Sequence, residues 1–216
     1  MTRCLVLDLC GGTGAWSRPY REAGYDVRVV DPWQPAATPR DHVGTVADFL
    51  TSRAFSEALY LRQEKGLPLG ILAAPPCDHF SVSGARWWPD KDRDGRTRDA
   101  VDTVRDCLTI IGALRPSWWA LENPIGRMRK LVPEVGPVRL TFDPCDFAGY
   151  PGGEADTYTK RTQLFGHFTA PTSRPLPITH VKGSSPIHRA APGPMRKHFR
   201  AVTPTGFARA FFEANP

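Results

Sequence analysis

CLVLDLCGGTGAWS, residues 4–17, is the stretch on which the fold turns. CLVLDL is a short apolar run, the pattern of a strand buried in a sheet. GGTG follows at once, and glycine accepts tight backbone that other residues resist. WSRPYREAG (16–24) reads as a short helix closed by Gly24, and DVRVVD (26–31) as a second strand. Strand, glycine loop, helix, strand is the opening of an α/β domain with a doubly wound, mostly parallel sheet.

Working outward, the pattern predicts a helix over 52–64, a strand at LGILAA (69–74) and a long polar loop over roughly 78–96. A helix over 97–114 shows apolar residues at Val101, Val104, Leu108, Ile111 and Leu114, and Pro116 ends it. SWWALE (117–122), VRLTF (138–142) and TQLFGHF (162–168) read as strands, and PTGFARAFFEA (204–214) as a final amphipathic helix. Residues 169–200 are rich in Pro, Ser, Gly and basic residues, with little periodicity. No internal repeat and no second hydrophobic core are apparent. A chain of 216 residues, 41% hydrophobic, suits one domain of ordinary size.

Composition narrows the function classes. No apolar run is long enough for a membrane helix, and the N-terminus lacks a signal-peptide layout, so a cytoplasmic location is expected. Five cysteines (Cys4, Cys10, Cys77, Cys107, Cys145) without a C-x-x-C pair argue against a disulfide framework and against a metal site. Net charge is +6 and unevenly spread: residues 157–212 hold nine Lys or Arg and no Asp or Glu. That asymmetry suggests a polyanion surface, with nucleic acid the leading candidate; the alternative is a solvated basic face.

Two places carry chemistry. At the first, DLCGGTG (8–14) lets backbone approach a ligand at a strand's carboxyl end. The next strand ends in Asp31, followed by Pro32 and Trp33: an acid to accept ribose hydroxyls and an aromatic to stack on a purine. Asp48-Phe49 offers a further polar–aromatic pair at what reads as the next strand end. No Lys follows the glycines as in a phosphate-cradling loop, so an adenosyl compound without a phosphate chain is expected. The alternative is a tight turn plus a core Trp. At the second place, the strand 69–74 runs into Pro75-Pro76-Cys77, and proline leaves this loop little freedom. Glu122-Asn123-Pro124 lies at the matching end of a later strand, one crossover helix away. Cys77 and Glu122 then face one crevice, the pair needed to attack an electron-poor ring while protonating it elsewhere. The alternatives are an inert buried thiol and a structural carboxylate.

These stretches together resemble the cytosine-5 DNA methyltransferase family: DLCGGTG (8–14), Asp31 with Trp33, Asp48-Phe49, PPCDHFS (75–81), ENP (122–124), TKRTQLFG (159–166) and TPTGFARAFF (203–212), in the family's order. The resemblance implies a Rossmann-like, S-adenosylmethionine-dependent fold with a minimal basic target-recognition segment. It implies that Cys77 attacks carbon 6 of a flipped-out cytosine, that Glu122 protonates or hydrogen-bonds ring N3, and that Arg161 contacts the base carbonyl and the cysteine side of the ring. It places S-adenosylmethionine against Asp8, Cys10, Gly11, Gly12, Gly14, Asp31, Trp33, Asp48, Phe49 and Pro75. It places DNA against Pro76, Ser81, Asn123, Pro124, Lys160, Arg96, Arg196 and Lys197. A nearby positive charge is expected to lower the Cys77 pKa, and Asp78, where the family usually has Gln, to raise it. Residues 1–166 are expected to form the catalytic core, 167–202 a short DNA-contact segment, and 203–216 a helix returning to the core. The loop WWPDKDRDGRTR (87–98) offers Lys91, Arg93, Arg96 and Arg98 to phosphates and Trp87 or Trp88 to the gap left by the base, unless its own aspartates offset those charges. So short a recognition segment implies a site of about two to four bases. Double-stranded DNA is the expected partner, and the protein is expected to act as a monomer. Such a compact modifier suits a phage or a bacterium. RNA as substrate, transfer of a group larger than methyl and an inactive cofactor-binding protein stay open.

Overall fold

The structure is a computed structural model that describes residues 4–179, 193 and 196–216, the last stretch as backbone alone over 196–198. Its centre is a six-stranded sheet of β1 (Leu5–Leu9), β2 (Asp26–Val30), β3 (Leu69–Ala73), β4 (Trp118–Pro124), β5 (Val138–Phe142) and β6 (Thr162–His167). Their order is β2-β1-β3-β4-β6-β5. The first four strands are parallel, and β6 runs antiparallel to both β4 and β5. From β1 the chain goes out to β2 and returns to β3 on the other side, so strand order reverses at β1. An open α/β sheet of this kind leaves a crevice at that reversal.

The alternation of β1 explains the layers. Leu5, Leu7 and Leu9 share one face, Val6 and Asp8 the other. The leucine face packs with α2 (Val46–Leu50), α3 (Arg53–Gln63) and the 19-residue crossover helix α5 (Arg96–Leu114), through Val104, Cys107, Ile110 and Leu114. The opposite face packs with α1 (Arg18–Glu22) and the C-terminal helix α8 (Thr205–Ala214), through Trp16, Tyr20, Phe207 and Phe211. The single core expected from the sequence is thus two layers, one on each face of one sheet. A Rossmann-like, doubly wound α/β fold results.

The stretch 78–96 departs from the loop that its polarity suggests. It holds a 3₁₀ turn (Val82–Trp87) and the helix α4 (Trp88–Arg93). Pro89 near the start of α4 supplies a helical φ where a missing N–H costs nothing, and the aspartates offset the arginines one turn on. Two further short helices complete the described chain, α6 (Met128–Leu131) and α7 (Arg196–Ala201).

Candidate active site

The glycine loop begins where β1 ends. Cys10 sits at φ 56°, and Gly12 and Gly14 at 51° and 66°, which bends the chain sharply over the strand end. Gly11 is required for a different reason: a Cβ there would stand 2.5 Å from the Asp8 carboxyl carbon. Asp8 is fully buried; Ser17 Oγ donates to its Oδ2 at 2.5 Å, and its Oδ1 has no partner. Burial, reinforced by the nearby Asp31 charge, pushes the Asp8 carboxyl up to about 7, against the pull of Ser17. Cys10 lines the cleft while its thiol meets Cys107 of α5, a contact that together with burial holds its pKa up.

Asp31 ties β2 to this loop. Its Oδ2 accepts from the Gly12 N–H at 3.1 Å and its Oδ1 from the Trp33 N–H at 2.7 Å. Asp31, Pro32 and Trp33 line the cleft beside Asp8, Gly11 and Gly12. Gly14 shapes the turn without lining the cleft, its N–H closing on the Gly11 carbonyl at 2.8 Å. Asp48 and Phe49 require a correction. They stand in α2, not at a strand end: Asp48 reciprocally caps Thr45, and Phe49 is fully buried against His42 and Phe55. Thr45 and Val46, one turn earlier, line the cleft instead. The Thr-x-x-Asp capping box was the available signal that a helix starts there.

The P-P-C loop follows β3, the strand beside β1. Pro75, Pro76 and Cys77 line the same cleft. The fully buried Asn123 donates its Nδ2 to the Pro75 carbonyl at 3.3 Å, so the end of β4 braces the P-P-C loop. The Cys77 carbonyl accepts from the N–H groups of Phe80 and Ser81. Ser81 caps the 3₁₀ turn and bridges to Gly126, and Pro124 ends β4 opposite Thr162. Gly70 to Ala73 pair in register with Trp118 to Leu121, which brings Glu122 to the cleft beside Cys77. Burial, then the Glu122 charge, pushes the thiol up to about 11; Lys160 pulls it down and Asp78 adds a smaller push upward. The cation lowers the thiol and Asp78 raises it, the two expected influences, and desolvation outweighs both. Burial also raises Glu122, opposed by Lys160 and a hydrogen bond with Thr162.

The cation on this wall is Lys160, not Arg161. Arg161 points away from the cleft, its side chain 60% exposed and its Nε 2.9 Å from Asp143 Oδ2. Successive residues of an extended chain face opposite ways, so Lys160 and Thr162 share the side of Glu122 and Arg161 takes the other. Lys160 Nζ donates to the Arg200 carbonyl at 3.0 Å, and Ala201, Val202 and Thr203 close that part of the wall. Arg196 and Lys197 start α7, but their side chains lie outside the described residues, as do residues 180–192 of the basic segment.

The loop after Cys77 spends its charges internally. The buried Lys91 holds Asp78 twice, at its carbonyl (2.6 Å) and its Oδ2 (3.0 Å), and His79 approaches the same carboxylate. Arg127 clamps Asp92 through two bonds, donates to the His79 carbonyl and stacks on Trp88. Arg93 pairs with Asp90 and Arg96 with Asp94. The acid that departs from the family pattern, Asp78, thus has its own buried counter-ion, and Arg96 is engaged by its own loop. Trp87 stays half-exposed with Arg86 over its ring. Trp16, buried beside the glycine loop with Nε1 unpartnered, lines the cleft without having been singled out from sequence.

The whole cleft measures about 600 Å³. Its glycine end offers Asp8, Asp31 and aromatic surface with no Lys or Arg among the described lining residues, a donor set that fits a cationic, phosphate-free nucleoside. Among the described residues no cluster of His, Cys, Asp or Glu could hold a metal ion, and no helix is long and apolar enough to cross a membrane.

No family model matches the chain, and no curated protein matches it. Among solved structures the chain is similar to a protein described as a candidate DNA modification methyltransferase encoded within a prophage in E. coli. The sequence identity is 21%, the TM-score 0.48, and the match covers 76% of this chain and 46% of that one. The chain thus spans under half the length of that protein.

Proposed function

We propose that this protein is an S-adenosylmethionine-dependent DNA methyltransferase acting on carbon 5 of cytosine. The observation that carries the reading is the shared cleft: Cys77 and Glu122 on one wall, Asp8, Asp31 and the glycine loop at the other end. S-adenosylmethionine, held at the glycine end by Asp8, Asp31, Trp33 and the backbone of Gly11 and Gly12, supplies an electrophilic methyl group. Everything else falls to the chain's own residues. Cys77 gives up its proton to the Glu122 carboxylate and its sulfur bonds to carbon 6 of the cytosine. Glu122 delivers a proton to ring N3, and carbon 5 gains the electron density that accepts the methyl group. Loss of the carbon-5 proton then returns the electrons to the ring and releases Cys77.

The perturbed carboxyl suits its role. Glu122 is raised by burial, so it holds a proton more readily than an exposed glutamate. A thiol at about 11 is a poor nucleophile while Glu122 is charged; protonating Glu122 removes the second-largest cause of that rise. The basic segment 167–202 is assigned to phosphate contact, which gives affinity without reading sequence. Residues 1–166 are assigned as the catalytic core and 203–216 as the helix that completes it.

Duplex DNA containing 5-fluorocytosine tests this reading, because fluorine at carbon 5 blocks the final proton loss. Wild-type protein with S-adenosylmethionine is expected to become covalently attached to the DNA, and Cys77→Ser is not. An adduct with RNA only reassigns the substrate. DNA and cofactor binding without any adduct overturns the catalytic reading.

A further inference from the structure

Four carboxylates line the cleft, Asp8, Asp31, Asp78 and Glu122, against a single Lys or Arg side chain among the described residues, Lys160. Cys77 is faced by Glu122 from β4, by Lys160 from the lead-in to β6 and by Asp78 from its own loop. Asp78 already carries Lys91 and His79. Among the described residues Lys160 makes no ion pair; its ammonium donates to a main-chain carbonyl, that of Arg200, at 3.0 Å.

The chemistry makes this placement meaningful. When Cys77 loses its proton to Glu122, one S–H bond breaks and one O–H bond forms, and the pair carries one negative charge before and after. A cation facing both groups stabilises that charge wherever it resides, whereas a cation on the far side of the chain does not. A lysine ammonium is a compact charge with three donors, so it can bond a carbonyl and still face the pair. We propose that Lys160, and not Arg161, is the electrostatic positioning residue of the reaction: its ammonium steadies the single negative charge shared by Cys77 and Glu122, and the Arg200 carbonyl keeps it aimed. This rests on Cys77 being the attacking thiol. It also ties the reaction wall to the basic segment, since α7 supplies the anchoring carbonyl and the next three residues line the cleft.

The test reads the thiol directly. Alkylation of Cys77 by iodoacetamide in the intact protein is followed by peptide mass spectrometry across the alkaline range. Lys160→Met is expected to slow alkylation at pH 8 about tenfold, the effect of raising the thiol by one pKa unit. Lys160→Arg recovers most of the rate, and Arg161→Met stays within about twofold of wild type, less than a third of a pKa unit. Lys160→Gln is measured alongside, so that misfolding of one variant does not decide the matter. A Lys160→Met or Lys160→Gln profile that superimposes on wild type, or an Arg161→Met profile displaced as far, overturns the proposal. The fluorocytosine trap separates the two readings. A wild-type adduct with unchanged alkylation in the lysine variants keeps the methyl-transfer reading and removes the role of Lys160. Slowed alkylation without an adduct on any nucleic acid keeps the effect of Lys160 on the thiol but removes the methyl-transfer reading, and with it the role of Lys160 in that reaction.

Discussion

The two ends of the cleft are built from very different lengths of chain. The glycine end is made almost wholly by residues 8–33, and its acids are tied to near neighbours: Asp8 to Ser17, Asp31 to the N–H groups of Gly12 and Trp33. The reaction end draws Cys77, Glu122 and Lys160 from three separate segments, brought together by β3–β4 and β4–β6 pairing. One end is a local device that a short segment can specify; the other exists only once the sheet is assembled. The difference also shows in charge. The glycine end is acidic, while the reaction end pairs a partly buried thiol and carboxyl with one cation among the described residues.

Substitutions can break this contrast or sharpen it. The largest effects are expected at the reaction end. Cys77→Ser should abolish methyl transfer, and Glu122→Gln should lower turnover by about 10²–10⁴-fold, the usual worth of a placed acid. Calorimetry should find S-adenosylmethionine binding nearly unchanged in both; a lost cofactor affinity would mean the two ends are not separable.

Gly11→Ala should do the opposite. The new methyl group meets the Asp8 carboxyl carbon at 2.5 Å and the Asp8 carbonyl at 2.8 Å. A cost of about 1–3 kcal/mol in urea unfolding is expected, as for an overpacked core, with loss of cofactor binding. Cys77 alkylation should keep its wild-type pH profile.

Asp8 predicts a pH signature for the glycine end. Its folded-state pKa of about 7 stands above the ordinary 3.8, so between these values the folded state binds more protons than the unfolded chain. The stability from this group is full below about pH 4 and is lost as pH rises through about 7. Asp8→Asn should flatten that part of the stability–pH curve measured by urea denaturation. An unaltered slope would show that Asp8 is not the group responsible.

The smallest effect is expected from Arg96→Ala. Arg96 is exposed and pairs within its own loop with Asp94. Neither the urea midpoint nor duplex-DNA affinity should move measurably, since such exposed pairs contribute little. A large loss of DNA affinity would restore the phosphate-contact role that its sequence position suggests.

Much of the fold was legible because its signals are local. The helix at Arg96–Leu114 and the strands at Leu5–Leu9, Leu69–Ala73 and Val138–Phe142 follow from apolar period and from Gly and Pro punctuation. The helical turns within 78–96 are hidden by polarity, because Lys91 reaches back to Asp78 and Arg127 reaches in from beyond the stretch to His79 and Asp92. The expected strand end at Asp48 and Phe49 is a helix instead, because a polar–aromatic pair after a loop reads equally as a strand end or a helix start. Arg161, expected at the base, and Lys160 are adjacent cations that differ in which side of the chain each faces, and that follows from alternation along the extended chain leading into Thr162, the partner of Pro124.

Read alone, the chain determines the doubly wound α/β order, the glycine loop with its following acid, and the candidacy of Cys77 and Glu122. These follow from residue types at short spacing, where backbone geometry permits few solutions. Tertiary structure alone decides which groups share the cleft, which cation faces the thiol and how far the thiol is desolvated. Those depend on strand register and burial, which are sums over contacts between residues far apart in sequence.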